Sequence, residues 1–444
     1  MTSTLAHTLR TTACAFLVGS LTAGAAQATE GYFQEGVSVQ EKATGGAGVA
    51  NPRDALTIAN NPAGLVDVGA QANLDLTFFA PDRGYDASGT LFVAPGSHTS
   101  HDNVFPVPAM AFSMPIDATS AFGIAMYGNG GMNTHYVTST VSPLCGFFGL
   151  PGGVYCGGSQ TGVNLNQAFI SLGYAKKFGS FSIGIAPIFA MQMFSAYGLG
   201  AFGGISSNPA ELSGNGTDWS FGGGLRVGAE WHVTPSLRLG LAGSTPIWMT
   251  NFTKYSGLFA DGGSFDIPAS VTVGVAYDVL PMFTVMLDYK RIFYSGVPAI
   301  SNPSAFVGIP LGASGGPGFG WSDVDVVSVG AEWRMMPNLT LRAGYSHNTN
   351  PINAKDVTLN ILAPGIVTDH ISAGASYALT QNLVIDLAGV VVPRHDISGP
   401  EVIPGFGAVP GSNVNLRMSQ FEVTAGLTYK FGAPPPPAPV ISKY

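Results

Sequence analysis

The chain has 444 residues, of which 46% are hydrophobic and only 10% are charged, with a formal net charge of −8. A soluble domain carries about 25% charged residues, so this chain either faces lipid or is buried in an assembly. The acidic balance excludes nucleic acid as a partner, because nucleic-acid binding needs a basic stripe. No uninterrupted apolar run of about 20 residues follows the N-terminus, which excludes a helical membrane bundle and favours a membrane β-barrel.

The first 28 residues have the pattern of an export signal. Met1 to Arg10 is weakly basic, residues 11–25 are small and apolar, and Ala26-Gln27-Ala28 is an A-x-A cleavage site. The alternative is a single membrane anchor, for which the apolar stretch is short. We predict cleavage near Ala28.

Residues 29–70 form a glycine-rich region ahead of the first strand-like segment. Asp54 is placed to cap a short helix over ALTIAN, which Asn61-Pro62 would end. A barrel of about fourteen strands is wide enough to need something in its lumen, and this region is the economical candidate. The alternative is a disordered periplasmic leader.

From residue 71 onward the chain alternates between apolar and polar positions. The signature G-x-x-[WY] closes several segments: GAEW at 228–231, GVAY at 274–277, GAEW at 330–333, GASY at 374–377 and GLTY at 426–429. Residues i and i+3 of a strand point to opposite faces, so the aromatic ring and the glycine lie on different faces. Charged residues fall on the polar face, which predicts apolar side chains toward lipid and a polar lumen.

The strand pattern predicts an all-β fold, a transmembrane antiparallel barrel of about fourteen strands over residues 71–431. Short turns near residues 116, 176, 232, 278, 334 and 378 alternate with long loops, the asymmetry of an outer-membrane barrel. The predicted strands are 71–80, 103–115, 121–129, 163–175, 180–191, 220–231, 236–244, 265–277, 283–292, 322–333, 338–347, 370–377, 383–392 and 417–431.

Cleavage would leave two cysteines, Cys145 and Cys156, in the segment CGFFGLPGGVYC. A pair this close in an oxidising compartment predicts a disulfide that closes a loop. Metal binding is the rival interpretation, but no nearby histidine or second thiol pair completes a tetrahedral site. Residues 432–444 follow the last strand as a proline-rich tail, which is expected to be extended and outside the sheet.

No pattern in the sequence indicates an enzyme. GLGAFG at 198–203 matches G-x-G-x-x-G but lacks the strand and helix of a dinucleotide site. The eight histidines are scattered, and no serine has the setting of a nucleophile. We therefore predict no catalytic residue, no metal and no cofactor.

The stretch GYFQEGVSVQEKATGGAGVANPRDALTIANNPAGL, followed by the strand pattern that ends in FEVTAGLTYKF, resembles the FadL family of outer-membrane transporters. The resemblance spans essentially the whole mature chain. It implies a lumen plugged by an N-terminal hatch containing Asn61, Pro62 and Ala63. It also implies an inward kink of the third strand, here AFGIAMYGNGGMN, in which Gly128, Gly130 and Gly131 supply the backbone freedom.

The resemblance implies passive uptake of hydrophobic compounds, most readily long-chain fatty acids, with lateral exit at the third strand. Apolar loops are the candidate capture surface; the alternative is that these loops pack on each other to cover the barrel mouth. A lumenal Arg226 or Arg342 could bind a carboxylate, or could be paired with Glu230 or Glu332. The candidate capture residues are Phe194, Tyr197, Leu199, Phe202, Trp248, Phe252, Leu258 and Phe259.

Two alternatives remain at this stage. Aromatic hydrocarbons or alkanes would need no cationic partner, and a general porin would need neither apolar loops nor a plug. We expect a monomer in the outer membrane of a Gram-negative cell, with membrane lipid and hydrophobic small molecules as its partners.

Overall fold

The computed structural model describes residues 29–305 and 308–432. The predicted signal peptide and all but the first residue of the predicted tail lie outside these ranges. No helix within the described ranges is both long and apolar enough to cross a membrane.

Fourteen long antiparallel strands form the wall, as the sequence predicted. Each predicted strand overlaps one observed strand, and several strands extend further at the end of the long loops. The strands are β1 Gln71–Ser88, β2 Phe105–Asp117, β3 Ser120–Val137, β4 Gln160–Phe178, β5 Phe181–Tyr197, β6 Asp218–His232, β7 Leu237–Ser244, β8 Ser270–Leu280, β9 Phe283–Ile292, β10 Val324–Met336, β11 Leu339–Asn348, β12 Asp369–Ala378, β13 Leu383–Gly399 and β14 Asn413–Lys430.

The barrel closes through the pairing of β14 with β1, whose register runs from Gln71↔Lys430 to Ser88↔Asn413. Two short strands extend the same sheet: Gly96–Thr99 pairs with β1, and Trp248–Met249 pairs with β6. Closure leaves no unpaired edge along this seam, which is what lipid requires of backbone donors and acceptors.

Short turns lie at one end of the barrel and long loops at the other. Outer-membrane barrels place short turns in the periplasm and long loops outside, so we name the two ends accordingly. The extracellular loops contain short helices at Pro143–Phe147, Gly200–Ile205, Pro209–Glu211, Thr253–Tyr255, Ala260–Gly263, Tyr294–Gly296, Pro298–Ser301, Ala354–Asp356 and Val357–Asn360, and a small hairpin formed by Val402–Ile403 and Gly407–Ala408.

The two faces of the wall differ as the alternation predicted. The rings that end the G-x-x-[WY] signatures all point outward, near the periplasmic end, and aliphatic side chains continue the outer surface between the two ends. Glu230, Asp288, Glu332, Asp386 and Glu422 are all buried on the inner face. An apolar exterior with interior charge is the pattern of a membrane barrel and the inverse of a soluble one.

Residues 29–70, here called the N-terminal segment, are enclosed by the wall. They form helices at Val39–Lys42 and Leu65–Val68 and 3-10 helices at Ala55–Ala59 and Pro62–Gly64. The Asp54 side chain caps the first 3-10 helix by accepting from the Leu56 amide at 2.9 Å, the cap that the sequence predicted. The helix is shorter than ALTIAN by one residue.

The glycines of the repeated signature make room for the N-terminal segment. A Cβ at any of them would overlap the segment or a side chain that binds it: Gly228 meets Asn61, Gly274 meets Val49 and Asp288, Gly330 meets Thr44, Gly374 meets Ala43, and Gly426 meets Val39 and Asp75. The segment therefore runs around the inner wall from β14 to β6. On the lipid-facing side the signature presents an aromatic ring, and on the lumen-facing side its glycine leaves space that the N-terminal segment fills.

Candidate substrate pathway

The Asn61-Pro62-Ala63 motif lies against the inner faces of β5 and β6. Asn61 Oδ1 accepts from the Ala63 amide at 3.1 Å, while its Nδ2 donates to the carbonyl oxygens of Val49 and Ala229 at 2.7 and 3.1 Å. A Cβ at Gly184 would lie 2.3 Å from Ala63 N. The asparagine side chain thus joins two parts of the segment to the wall.

Ion pairs fix the rest of the N-terminal segment. Lys42 Nζ lies 2.7 Å from Glu422 Oε2, with both side chains at most 1% exposed. Arg53 pairs with Glu332 at 3.1 Å, and Glu30 pairs with Lys290 at 2.9 Å. The alternation predicts a polar lumen around the inner charges of the wall. The partners of Glu422, Glu332 and Lys290 in that lumen are charged side chains of the segment.

At the position of the predicted kink, the pairing of β3 with β4 contains a bulge. The register shifts between Gly128 and Gly130. The start of the N-terminal segment binds at this point: the Gly131 amide donates to Tyr32 O at 3.1 Å, and a Cβ at Gly130 would lie 1.8 Å from the same oxygen. The glycine is needed here for close approach of two backbones.

Above the bulge, the wall is interrupted between β2 and β3. Their pairing runs from Asp117↔Ser120 to Ala109↔Tyr127, whereas β3 continues to Val137 paired with β4. Arg83 of β1 crosses this interruption. Its guanidinium donates to the carbonyl oxygens of Asn133 and Asp102 and lies 5.5 Å from the Phe105 ring. Farther along β3 the wall is joined again, because the His101 amide donates to His135 O at 2.8 Å and the His135 amide donates to Ser100 Oγ at 2.9 Å. The interruption is therefore a bounded opening in the ladder, which the Arg83 side chain spans.

Most of the predicted capture residues meet in the extracellular loops. The expectation that they form an exposed patch is wrong for Phe194, Leu199, Phe202, Phe252 and Phe259, which are buried because they pack on each other. The Phe194 and Phe259 ring centroids, for example, lie 4.7 Å apart. This is the alternative in which the loops cover the barrel mouth.

The remaining predicted capture residues have different positions. Tyr197 is partly buried and donates to Thr134 O at 3.4 Å. Leu258 is partly buried beside the cluster. Trp248 is 61% exposed and pairs with β6, so it lies on the outer surface and is separate from the cluster.

Four of these residues line an apolar cavity of about 40 Å³ between the loops. Every residue around it is apolar or glycine, so it offers no charge to a ligand. The lining is Leu199, Phe202, Leu258, Phe259, Ala299, Leu311, Pro317, Gly318, Phe319, Leu359 and Leu362.

A second, smaller cavity of about 10 Å³ lies at the interruption in the wall. It is lined by Phe79 and Arg83 of β1, by Gly131 to Asn133 of β3, and by Trp321 and residues 363–365. Phe319 and Leu362 line the first cavity and Trp321 and Ala363 the second. Residues 319–321 and 362–363 therefore connect the lining of the apolar cavity to that of the opening.

The two predicted carboxylate partners have different environments. Arg342 is fully engaged, with Nε 2.9 Å from Glu332 Oε2 and Nη2 3.1 Å from Gln40 Oε1. Arg226 donates to Asn60 O at 3.2 Å and lines a polar cavity of about 50 Å³. Its Nε has no hydrogen-bond partner among the described residues. Arg226 is thus the better placed of the two to meet a ligand.

The loop that follows β3 is closed by a disulfide between Cys145 and Cys156, with the Cα atoms 5.4 Å apart. It presents Phe147 and Phe148, which are 82% and 61% exposed. These two phenylalanines are not among the predicted capture residues, although their position between the cysteines was the available sequence signal. Arg83 gave no such signal, because only the fold places it across the opening.

Comparisons with known proteins agree with this geometry. Residues 19–396 match the family described as outer membrane protein transport protein (OMPP1/FadL/TodX). No curated protein matches the sequence.

The fold is shared with several solved structures. A FadL homologue of Pseudomonas aeruginosa has 17% identity and a TM-score of 0.66, over 90% of this chain and 100% of that one. The P. putida toluene transporter TodX has 16% identity and a TM-score of 0.63, over 89% and 99%. The Ralstonia pickettii toluene transporter TbuX has 19% identity and a TM-score of 0.60, also over 89% and 99%.

Proposed function

The chain belongs to the outer membrane transport protein family (OMPP1/FadL/TodX), and from this premise we propose that it admits small, uncharged hydrophobic compounds through the outer membrane. The observation that carries the proposal is the apolar cavity whose lining residues 319–321 and 362–363 connect to that of the opening in the wall. Ligand pockets are typically concave and mostly apolar, and the apolar loop packing around this small cavity must move to admit a ligand.

The proposed route begins at the extracellular end. Phe147 and Phe148 are exposed aromatic side chains at this end, where a hydrophobic compound can first bind. It then enters the apolar cavity, passes Trp321 and leaves sideways between β2 and β3 into the membrane. The N-terminal segment closes the route toward the periplasm. Transport is passive, because a hydrophobic compound reaches lower free energy in the lipid without any coupling step.

Long-chain fatty acids are the second candidate class, the one that the sequence favoured. The observation in their favour is the free Nε of Arg226 beside a polar cavity. A carboxylate is costly to bury unless it is paired, so a fatty acid would have to bring its head group to Arg226. The uncharged lining of the loop cavity supports the hydrocarbon class instead.

A ligand panel separates the two classes. Trp321 lines the route, so a toluene-like compound should quench its fluorescence saturably, and Trp321→Phe should remove that quench. An oleate-like ligand that binds with Arg226-dependent affinity, while toluene does not bind, would replace the hydrocarbon proposal with the fatty-acid one.

Uptake itself is tested by filling the cavity. Ala299→Phe places a ring in the apolar cavity and should abolish uptake of toluene into liposomes carrying the protein. Ala373→Phe adds the same ring on the outer face of β12 and serves as the matched control. Equal uptake by the two variants would place the route elsewhere, and rapid swelling in sugars would indicate an open porin.

Lateral exit is tested at the bulge. Deleting Asn129 removes the extra residue between Gly128 and Gly130, which should restore regular pairing of β3 with β4. We expect a folded barrel that still binds ligand but takes it up slowly. If the deletion variant takes up ligand as fast as the unmodified protein, the ligand leaves past the N-terminal segment instead.

A further inference from the structure

Three potential metal ligands meet where the N-terminal segment contacts β6 near the periplasmic end. Asp67 lies on the helix Leu65–Val68, directly after the Asn61-Pro62-Ala63 motif. Glu230 and His232 are two residues apart on β6, so both point to the inner face. One ligand atom from each of the three lies within 4.8 Å of the others.

The distances within this cluster are close to those between ligands of one ion. His232 Nε2 lies 3.1 Å from Glu230 Oε1 and 3.5 Å from Asp67 Oδ2. Nitrogen and oxygen ligands lie about 2.0–2.2 Å from Zn²⁺, which at a tetrahedral angle puts two of them about 3.4 Å apart. Lys177 Nζ lies 2.5 Å from the other oxygen, Oδ1, of Asp67 and so leaves Oδ2 available.

An independent observation points to a missing partner for Glu230. Its side chain is 0% exposed, yet neither carboxylate oxygen has an aligned hydrogen bond among the described residues, and neither does His232 Nε2. The Glu230–His232 contact therefore has the separation of a hydrogen bond without its alignment. A buried carboxylate without hydrogen bonds is strongly unfavourable.

The residues opposite Glu230 on the two neighbouring strands are small. Ser182 stands opposite Glu230 on β5, and its buried hydroxyl also lacks a hydrogen-bond partner among the described residues. On the other side Glu230 faces Gly240 of β7, over which the backbone of Val49 and Ala50 packs. The polar groups nearest Glu230 thus converge from three elements on one small region.

We propose that Asp67, Glu230 and His232 bind a divalent transition-metal ion, with Zn²⁺ the best match. One imidazole and two carboxylates form a ligand set that Zn²⁺ accepts, with a fourth position open to water. Imidazole favours Zn²⁺ over Ca²⁺ and Mg²⁺, which take oxygen ligands.

The ion would join the N-terminal segment to the wall. Asp67 belongs to the segment and the other two ligands belong to β6, so the complete site exists only when the segment is docked. A ligand that binds one state alone stabilises that state. Periplasmic metal would then hold the segment closed at its junction with β1.

Calorimetry on the metal-depleted full-length protein in detergent tests the site. One Zn²⁺ ion should bind per protein chain. Glu230→Gln and His232→Ala should each lower the Zn²⁺ affinity by more than about tenfold, because even the loss of a residue that only hydrogen-bonds to a metal ligand lowers affinity 10–100-fold. His347→Ala is the matched control, because His347 pairs with Asp369 at 2.9 Å at the extracellular end. The His347→Ala variant should bind Zn²⁺ as tightly as the unmodified protein does.

Hydrogen exchange supplies a second readout. Zn²⁺ should slow exchange of residues 65–68 in the unmodified protein and leave it unchanged in Glu230→Gln. Electrophoretic mobility of the folded barrel shows whether each variant is assembled. The proposal would be overturned if Zn²⁺ binding survived both substitutions, or if the unmodified protein bound no Zn²⁺. Glu230 and His232 would then form only an ion pair. Neither measurement depends on uptake, so this site and the proposed function can fail separately.

Discussion

The two halves of the lumen are filled in opposite ways. In the periplasmic half the wall binds the N-terminal segment through paired charges and backbone contacts at glycines. In the extracellular half the loops pack through aromatic and aliphatic side chains around an uncharged cavity. Charge pairs and hydrogen bonds are directional, whereas apolar packing is not. A hydrophobic ligand can therefore replace loop contacts easily, but it cannot replace those of the segment.

The largest effect is expected from Lys42→Ala. This change leaves Glu422 as a buried charge without its partner, which costs about 4 kcal/mol in docking of the segment. Hydrogen exchange of residues 38–46 should rise accordingly. The double variant Lys42→Met with Glu422→Gln should recover most of the loss.

A surface pair provides the contrast for that variant. Arg394 and Asp396 lie 2.7 Å apart but are 58% and 37% exposed. Asp396→Asn should change the free energy of unfolding by less than about 1 kcal/mol, because exposed pairs contribute little. Similar losses from Lys42→Ala and Asp396→Asn would mean that burial of the first pair is not what fixes the segment.

The next effect concerns the extracellular half. Phe259→Ala should cost about 3 kcal/mol of loop packing, since its ring packs on those of Phe194 and Phe265 at 4.7 and 4.8 Å. A small hydrocarbon such as benzene should restore part of this stability by filling the space. Thermal unfolding with and without the hydrocarbon measures both changes. A hydrocarbon that rescues Lys42→Ala equally well would erase the contrast between the halves.

A smaller effect is expected at the glycine contacts. A Cβ at Gly344 would lie 2.1 Å from the Thr44 carbonyl carbon, so Gly344→Ala must shift the backbone of the segment. We expect a loss of about 2 kcal/mol in docking, the usual range for overpacking. Gly389→Ala is the control, because its nearest neighbour is 3.8 Å away. Exchange rates of residues 43–46 that are the same in both variants would contradict a steric role.

The last effect is a pH dependence of docking, in which no residue is replaced. Burial raises the pKa of Glu35 from 4.5 to about 8, with the Glu422 carboxylate adding to the shift and the Ser346 hydroxyl and Lys42 opposing it. The docked segment therefore favours the protonated carboxyl. Docking is strongest below about pH 4.5 and weakens as the pH rises through 8.

Hydrogen exchange of residues 34–37, corrected for intrinsic rates, follows this pH dependence. Glu35→Gln keeps the neutral form at every pH and should flatten the profile. A slope that persists in Glu35→Gln would assign the titration to another group.

The strand order, the short turns, the long loops and the apolar exterior could all be read from the sequence. They depend on alternation and turn residues, which are local in the chain. The Asp54 cap was readable for the same reason, because its acceptor and donor are two residues apart.

The contacts inside the lumen could not be read in this way. Lys42 and Glu422 are 380 positions apart, and no local pattern relates them. The same holds for Arg83 across the opening, for the burial of the Phe194–Phe259 cluster and for the meeting of Asp67 with Glu230.

The G-x-x-[WY] signature shows most clearly which features the sequence determines and which the tertiary structure determines. Sequence alone determined that its ring and its glycine face opposite sides, because the strand period is two. Only the tertiary structure decided that each glycine faces the N-terminal segment, because closing fourteen strands into a ring brings distant residues into one small lumen.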